Sequence, residues 1–294
     1  MSRATRPGPV DLFEAERPRL LGLAYRMLGT VSDAEDVVQD AWLRWRGADP
    51  TAVERPEAWL TTVTTRLALD HIRTTRRRRE SYIGPWLPEP LVTEPGPDDR
   101  AETSESLRLG FLTLLDRLQP VERAVFLLSD VFAVPFADIA RAVDKSPPAC
   151  RQIASRARRK VRRPSDRCDR DGERDVVAAV TTAIALGHID QVVEHLAPGV
   201  VCVADGGAAR RAARRPVVGA PRVARLLVNL SHRYTGRMSA RPVMVNGDLG
   251  VVIELDDEVD LVTAFEVDGG RVTAVRMVRN PDKLARVGRP VSLC

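Results

Sequence analysis

Apolar residues recur every three or four positions in the first part of the chain. Leu12, Phe13, Leu20, Leu23, Ala24, Met27 and Leu28 form one stripe, the spacing of an amphipathic helix packed on one side. "GTVSD" breaks the pattern, and Ser32 or Asp33 can cap the helix that follows. On that second helix Val38, Ala41, Trp42 and Trp45 fall within about one third of the circle, a core seam. Glu35, Asp36, Gln39, Asp40 and Leu43 take the opposite side. A third helix is predicted over "RPEAWLTTVTTRLALDHIRTTRRRR", with Pro56 at its start and Leu60, Val63 and Leu67 on one face.

Residues 84–100 then hold five prolines and two glycines, the composition of a stiff linker. At about 3.1 Å per residue it could extend to roughly 50 Å. Helical periodicity returns from 101 to 163. "VERAVFLLSDVF" and "PFADIARAV" read as helices, "DKS" as a tight turn, and "PPACRQIASRARRKV" as a third helix with Ser146 as N-cap and Pro147 in its first turn. An inner stripe of Ala149, Ile153, Ala157 and Val161 would turn Arg151, Gln152, Ser155, Arg156 and Arg159 outward. "DRDGERD" marks a second boundary. Beyond it "RDVVAAVTTAIALGHIDQVVEHL" and "APRVARLLVNL" are helical, and "GVVCVADGG" is a strand and turn. From 240 onward a meander is expected, with "NGD" and "DGG" as hairpin turns. The pattern predicts a multidomain chain of two all-α modules and a C-terminal α+β domain.

Charge sharpens this picture through clustering, since the net charge is only +5 over 294 residues. Of 45 basic residues three are lysine (Lys145, Lys160, Lys283), leaving 42 arginines. A GC-rich coding sequence accounts for that bias, yet arginine still offers bidentate contacts to phosphate and guanine. "RTTRRRR" places five arginines in seven residues, and residues 145–163 carry eight basic groups and no acid. Such runs neutralise phosphates, and the second lies on the last helix of a helix-turn-helix. The acidic side of the second helix cannot bind phosphate. It is solvated or meets a basic protein surface, and an exposed Leu43 in its middle favours a protein partner.

Four scattered cysteines and four histidines, of which His188 and His195 stand seven apart with no third ligand, predict no metal site. No cofactor motif and no catalytic constellation emerge. No apolar run reaches membrane-spanning or signal-peptide length, so a cytoplasmic protein without a membrane partner is expected.

Two stretches resemble a known family. "AYRMLGTVSDAEDVVQDAWLRW" with "WLTTVTTRLALDHIRTTRRRR" resembles region 2 of a bacterial RNA polymerase sigma factor, a helical bundle. The stretch from "LRLGFLTLLDRLQPVERAVF" to "RARRKVRR" resembles region 4, a helix-turn-helix. Only a linker separates them, which is the extracytoplasmic-function (ECF) type. The implied domains are region 2 at 10–80, a linker at 81–100 and region 4 at 101–164. The resemblance implies binding to the polymerase core, at the β′ clamp helices and the β flap, and to promoter DNA. Glu35, Asp36, Gln39, Asp40 and Leu43 would contact the core. Thr65, Arg66, Asp70, His71, Arg73, Arg76 and Arg77 would face the −10 element, with His71 and Arg73 favoured because Asp70 and Arg73 could pair with each other. Arg151, Gln152, Ser155, Arg156, Arg158 and Arg159 would read the −35 element. A sigma factor is not itself an enzyme.

Residues 172–288 resemble a SnoaL-like α+β cone, fused to one ECF group, the SigJ-like factors. "WLPEPL" and "NPDKL" fit that group, whereas its frequent "DGGGK" is "DGGAA" here, with Arg210, Arg211, Arg214 and Arg215 just downstream. The implied role is an internal regulator acting on the linker and region 2. Trp86, Leu87, Pro88, Asp205, Gly206, Gly207, Asn280, Pro281, Asp282, Lys283 and Leu284 are its expected regulatory contacts. The cone leaves room for a small-molecule ligand, with Asp205, His232, Tyr234 and Glu266 as candidate pocket groups. Two other readings stay open: a one-component helix-turn-helix regulator with a ligand-sensing domain, and a SnoaL-like enzyme with a DNA-targeting arm.

Overall fold

The computed structural model describes residues 8–49, 53–94, 105–161 and 170–289. They fall into two compact units. The first gathers Met1–Arg78 and Leu114–Arg162, so both helical modules share it; the second gathers Arg79–Thr113 and Arg163–Pro290.

In the first unit α1 (Pro9–Leu28) and α2 (Val31–Gly47) pack as a pair, followed by α3 (Pro56–Glu80). The cap of α2 is Thr30, two residues before Ser32 and three before Asp33. Its hydroxyl oxygen accepts from the Asp33 N–H at 3.4 Å, and Asp33 Oδ2 accepts from that hydroxyl. The seam of α2 is buried at Ala34, Val38, Ala41 and Trp45. Trp45 is fully buried, donates its indole N–H to the Pro9 carbonyl at 2.7 Å and meets the Trp59 ring at 5.4 Å.

After α4 (Leu109–Leu115), α5 (Pro120–Phe126) runs into a π-turn at Leu127–Val131, then α6 (Phe136–Val143) and α7 (Pro147–Val161). The buried stripe of α7 is Cys150, Ala154, Ala157 and Val161, while Ala149 and Ile153 are only partly covered. A strict four-residue step drifts about 40° each time on a 3.6-residue helix, so the real seam alternates steps of four and three.

The second unit is built on a seven-stranded sheet in the order β1-β4-β5-β6-β7-β2-β3. The strands are β1 (Val92–Thr93), β2 (Leu196–Asp205), β3 (Val217–Val218), β4 (Met238–Val245), β5 (Asp248–Leu255), β6 (Glu258–Asp268) and β7 (Arg271–Val278). Among the described strands only β2 and β7 pair in parallel. Three hairpins join β4 to β7, one more than the turn signals indicated. Asp256 and Asp257 supply the extra turn, both with positive φ (52° and 66°), a conformation that aspartate tolerates better than most residues.

One face of the sheet packs on α8 (Arg170–Leu186), α9 (Ile189–His195) and α10 (Ala220–Arg233). The other face is covered by the linker. Leu87, Leu109 and Leu284, the last from α11 (Pro281–Leu284), pack with Val243, Val245, Val252, Val262 and Val278. The proline-rich segment is therefore a wall of the C-terminal unit over its described part, with β1 hydrogen-bonded to β4. Asn246 fixes it further: its side chain accepts from the Leu91 N–H at 2.8 Å and donates to the Leu107 carbonyl at 2.9 Å.

Candidate nucleic-acid interface and linker clamp

The turn between α6 and α7 is set by Asp144, whose φ of 53° reverses the chain, and by Ser146, whose hydroxyl accepts from the Ala149 N–H at 3.3 Å. Arg151, Gln152, Ser155, Arg156 and Arg159 all stand exposed on α7. Arg158 is exposed too, but it bends back to Asp130 at 2.6 Å, and that carboxylate raises its pKa. Lys160 likewise holds Glu122, at 2.7 and 2.8 Å, and pulls its pKa below the ordinary value. Two of the cations of α7 thus brace it on α5 and the π-turn, which leaves three arginines (Arg151, Arg156 and Arg159), a glutamine and a serine exposed to read a groove.

On α2, Asp36, Gln39, Asp40 and Leu43 are exposed and Glu35 is half-buried. Leu43 keeps 53% of its surface in solvent while Trp45, two residues on, is buried completely. The α3 residues divide. Thr65 is a correction: it is fully buried and its hydroxyl donates to the Thr61 carbonyl at 2.7 Å, so it offers no surface to DNA. Arg66 is exposed but donates to the carbonyls of Arg141 and Ala142 on α6, at 2.6 and 3.4 Å. Asp70 and Arg73 pair at 2.8 Å. His71 lies half-buried with Nε2 3.3 Å from Asp33. The side chains of Arg76 and Arg77 lie outside the described residues.

In the second unit, residues from three distant places meet on the linker face. Strand parity puts Asp205 there, because Cys202 and Ala204 point to the helices. Asp205 Oδ1 accepts from the Tyr82 hydroxyl at 2.5 Å and the Gly207 N–H at 3.1 Å. Its Oδ2 accepts from the Leu87 N–H at 2.8 Å and from Lys283 Nζ at 2.7 Å. Lys283 also donates to the Leu87 carbonyl and lies 4.1 Å from the centre of the Trp86 ring and 5.1 Å from that of Tyr82. Asn280 donates to the Tyr82 oxygen at 2.8 Å. Burial, followed by the bond to Asp205, pushes the Tyr82 phenol well above its ordinary pKa.

Of the regulatory candidates, Trp86, Leu87, Asp205, Gly207, Asn280 and Lys283 converge directly, Pro88 and Leu284 are buried, and Pro281 and Asp282 are exposed. Gly206 is needed by close packing: a Cβ there would stand 2.3 Å from the Arg210 carbonyl oxygen. Gly207 has a φ of 56°, and a Cβ would meet Asn280 at 2.9 Å. Ala208 and Ala209, where the chain departs from "DGGGK", are exposed and outside this clamp. Tyr82, Asn246 and Arg279 carry much of the arrangement and had no motif to announce them.

The four candidate pocket groups do not converge. Asp205 belongs to the clamp, Glu266 is spent on Arg276 at 2.5 Å, His232 is exposed, and only Tyr234 lines the cavity described below. The described residues contain no cluster that could hold a metal ion, and no described helix is long and apolar enough to cross a membrane.

Residues 12–78 match the family model of Sigma-70 region 2, and residues 108–161 that of Sigma-70 region 4. The chain is 41% identical over 289 residues to the ECF RNA polymerase sigma factor SigJ of Mycobacterium tuberculosis, covering 93% of this chain and 92% of the relative. It is 35% identical to the probable ECF RNA polymerase sigma factor SigI of the same species, covering 92% and 93%. The crystal structure of M. tuberculosis SigJ aligns with a TM-score of 0.76 at 39% identity, over 94% of this chain and 98% of that one.

Proposed function

This chain belongs to the extracytoplasmic-function sigma factors of RNA polymerase, and from that premise we propose how its surfaces divide the work. The outward strip of α2 docks on the polymerase core, at the β′ clamp helices. The observation that carries this is Leu43, an exposed apolar residue set among Asp36, Gln39 and Asp40 on a well-packed helix. A regulator that binds DNA without polymerase has no use for such a strip, and the family membership does not favour that alternative.

The α7 row reads the −35 element in the major groove, and the same module meets the β flap of the core enzyme. Arg73 and His71 act at the −10 element together with Arg66, once Arg66 leaves the α6 carbonyls. The C-terminal unit acts as a built-in regulator and not as a catalyst. It holds the linker between regions 2 and 4 through the Asp205–Lys283 clamp, and so limits the spacing the two DNA-binding modules can adopt. A core-binding assay with Asp36→Arg plus Gln39→Arg, and separately Leu43→Ala, tests the docking; unchanged affinity in both removes its main support. For the regulation, run-off transcription by the full chain and by Asp205→Asn is compared. Identical promoter output from both sinks that part.

A further inference from the structure

Between its helices and its sheet the C-terminal unit has a partly open cavity of about 110 Å³. Ile184, Leu230, Val251, Ile253 and Phe265 give it apolar walls, and one part of the lining is charged. There Asp260 and Arg279, both more than nine-tenths buried, face each other. Arg279 directs Nε and Nη2 to a single carboxylate oxygen, Oδ2, at 3.0 and 2.5 Å. Arg210 Nε stands 3.8 Å from Oδ1, too far for a hydrogen bond. The carboxylate thus keeps one oxygen with no hydrogen bond from the described residues, open to the apolar space.

We infer that this cavity binds a small neutral amphiphile: an apolar body about the size of one ring, bearing a hydroxyl that donates to Asp260 Oδ1. The volume sets an upper limit: an apolar cavity of about 150 Å³ holds benzene, and this somewhat smaller space takes one ring because it is open on one side. Neutrality follows from the pair itself. Asp260 and Arg279 cancel each other, so a ligand anion would be buried against Asp260 and a cation against Arg279, each at a desolvation cost with no counter-charge to offset it.

Arg279 ties the cavity to the clamp. Its side chain also donates to the Arg211 carbonyl at 2.9 Å, and its backbone N–H donates to the Asp205 carbonyl at 2.6 Å. The next residue, Asn280, holds Tyr82. A hydroxyl donating to Oδ1 withdraws charge from the carboxylate, weakens its hold on Arg279 through Oδ2, and so loosens the residue from which the clamp hangs. This coupling rests on the regulatory reading above; the binding itself does not.

Calorimetry on the full chain with three probes tests the binding. Benzyl alcohol is expected to bind saturably and at least tenfold more tightly than toluene, the ratio a hydrogen bond to a charged acceptor supplies. Benzoate is expected not to bind. Val251→Phe, which fills the space with apolar volume, should abolish both benzyl alcohol and toluene binding, while Asp260→Asn should reduce the preference for the alcohol. No saturable binding of benzyl alcohol, or equal affinity for toluene, overturns the proposal. The coupling is read separately, from the fluorine resonance of 5-fluorotryptophan at position 86, assigned with Trp86→Phe. Binding without a shift at Trp86 overturns the coupling. A shift at Trp86 with unchanged run-off transcription supports the coupling and overturns the regulatory reading instead.

Discussion

Replacing Asp205 by asparagine keeps the shape of the clamp and removes its charge. Four donors converge on this carboxylate: the Tyr82 hydroxyl, the Gly207 and Leu87 N–H groups and the Lys283 ammonium. An amide accepts with one oxygen only. Its NH2 is least unfavourable toward Tyr82, whose oxygen can accept; Gly207 then loses its partner and Lys283 its counter-ion. Side-chain exposures of 6% for Lys283 and 0% for Asp205 mean water cannot replace the lost carboxylate. Breaking a buried pair from one side costs about 3–5 kcal/mol. Lys283 keeps the Leu87 carbonyl and the aromatic faces, so the lower end applies, about 3 kcal/mol. Native-state hydrogen exchange at the Leu87 amide reads this directly, because that amide is buried and bonded to Asp205 itself. A loss of about 3 kcal/mol speeds exchange through local opening by about a hundredfold. Exchange within about threefold of the parent, in a variant with unchanged circular dichroism, would refute the reasoning.

Three further outcomes follow from buried groups. The Tyr82 phenol stays protonated in the clamp above its ordinary pKa near 10, so the folded form holds the extra proton and stability falls as pH rises past that value, by up to about 1.4 kcal/mol per pH unit. Denaturant titrations above pH 10 should show this slope reduced in Tyr82→Phe; the same slope in both forms would contradict it. Arg123 is buried and donates to the carbonyls of Met27 (2.7 Å) and Leu115 (3.1 Å) and to Asp116 (2.5 Å), fastening the end of α1 to α5. Arg123→Met should cost the helical unit about 3 kcal/mol in urea unfolding, with an unaltered midpoint as the contrary result. Leu87→Ala opens a hole in the linker face of the sheet and should cost about 2–5 kcal/mol by the same method; a loss below about 1 kcal/mol would mean that the linker does not cover that face in solution.

The helices were legible because periodicity reports which face is buried without saying by what. The seam of α2 could be read from Ala41 and Trp45 alone, and its outward strip followed as the complement. The boundaries were less legible. Thr30 and Asp33 compete with Ser32 as caps by composition, and only the backbone geometry decides among them. Residues whose partners lie far along the chain were the least legible. Tyr82 and Asp205 are 123 positions apart, and Arg66 meets a carbonyl 75 positions away. Nothing local distinguishes an arginine that will donate to a helix end from one that will meet phosphate. The linker shows the same limit. Its prolines indicate stiffness, but the apolar residues among them, Leu87 and Val92, pack with strands made by residues far downstream.

Lysine in this chain is a choice that the clamp explains. With 42 of 45 basic positions taken by arginine, a lysine stands where arginine's geometry fails or where nothing selects between them. Lys145 sits exposed in a turn and belongs to the second kind. Lys283 belongs to the first. Its ammonium directs donors to the Leu87 carbonyl and to Asp205 Oδ2 while Trp86 and Tyr82 lie beside it, in a site with almost no exposed surface. A guanidinium is planar and wider, and its donors lie in one plane. Fitting it there displaces either the Trp86 ring or the linker backbone, an overpacking cost of about 1–3 kcal/mol. Lys283→Arg should therefore speed Leu87 exchange by about five- to a hundredfold although the charge is kept, and Lys283→Met should do so by removing it. If the arginine variant protects Leu87 as well as the parent does, the clamp senses only charge, and the shape argument for its lysine fails.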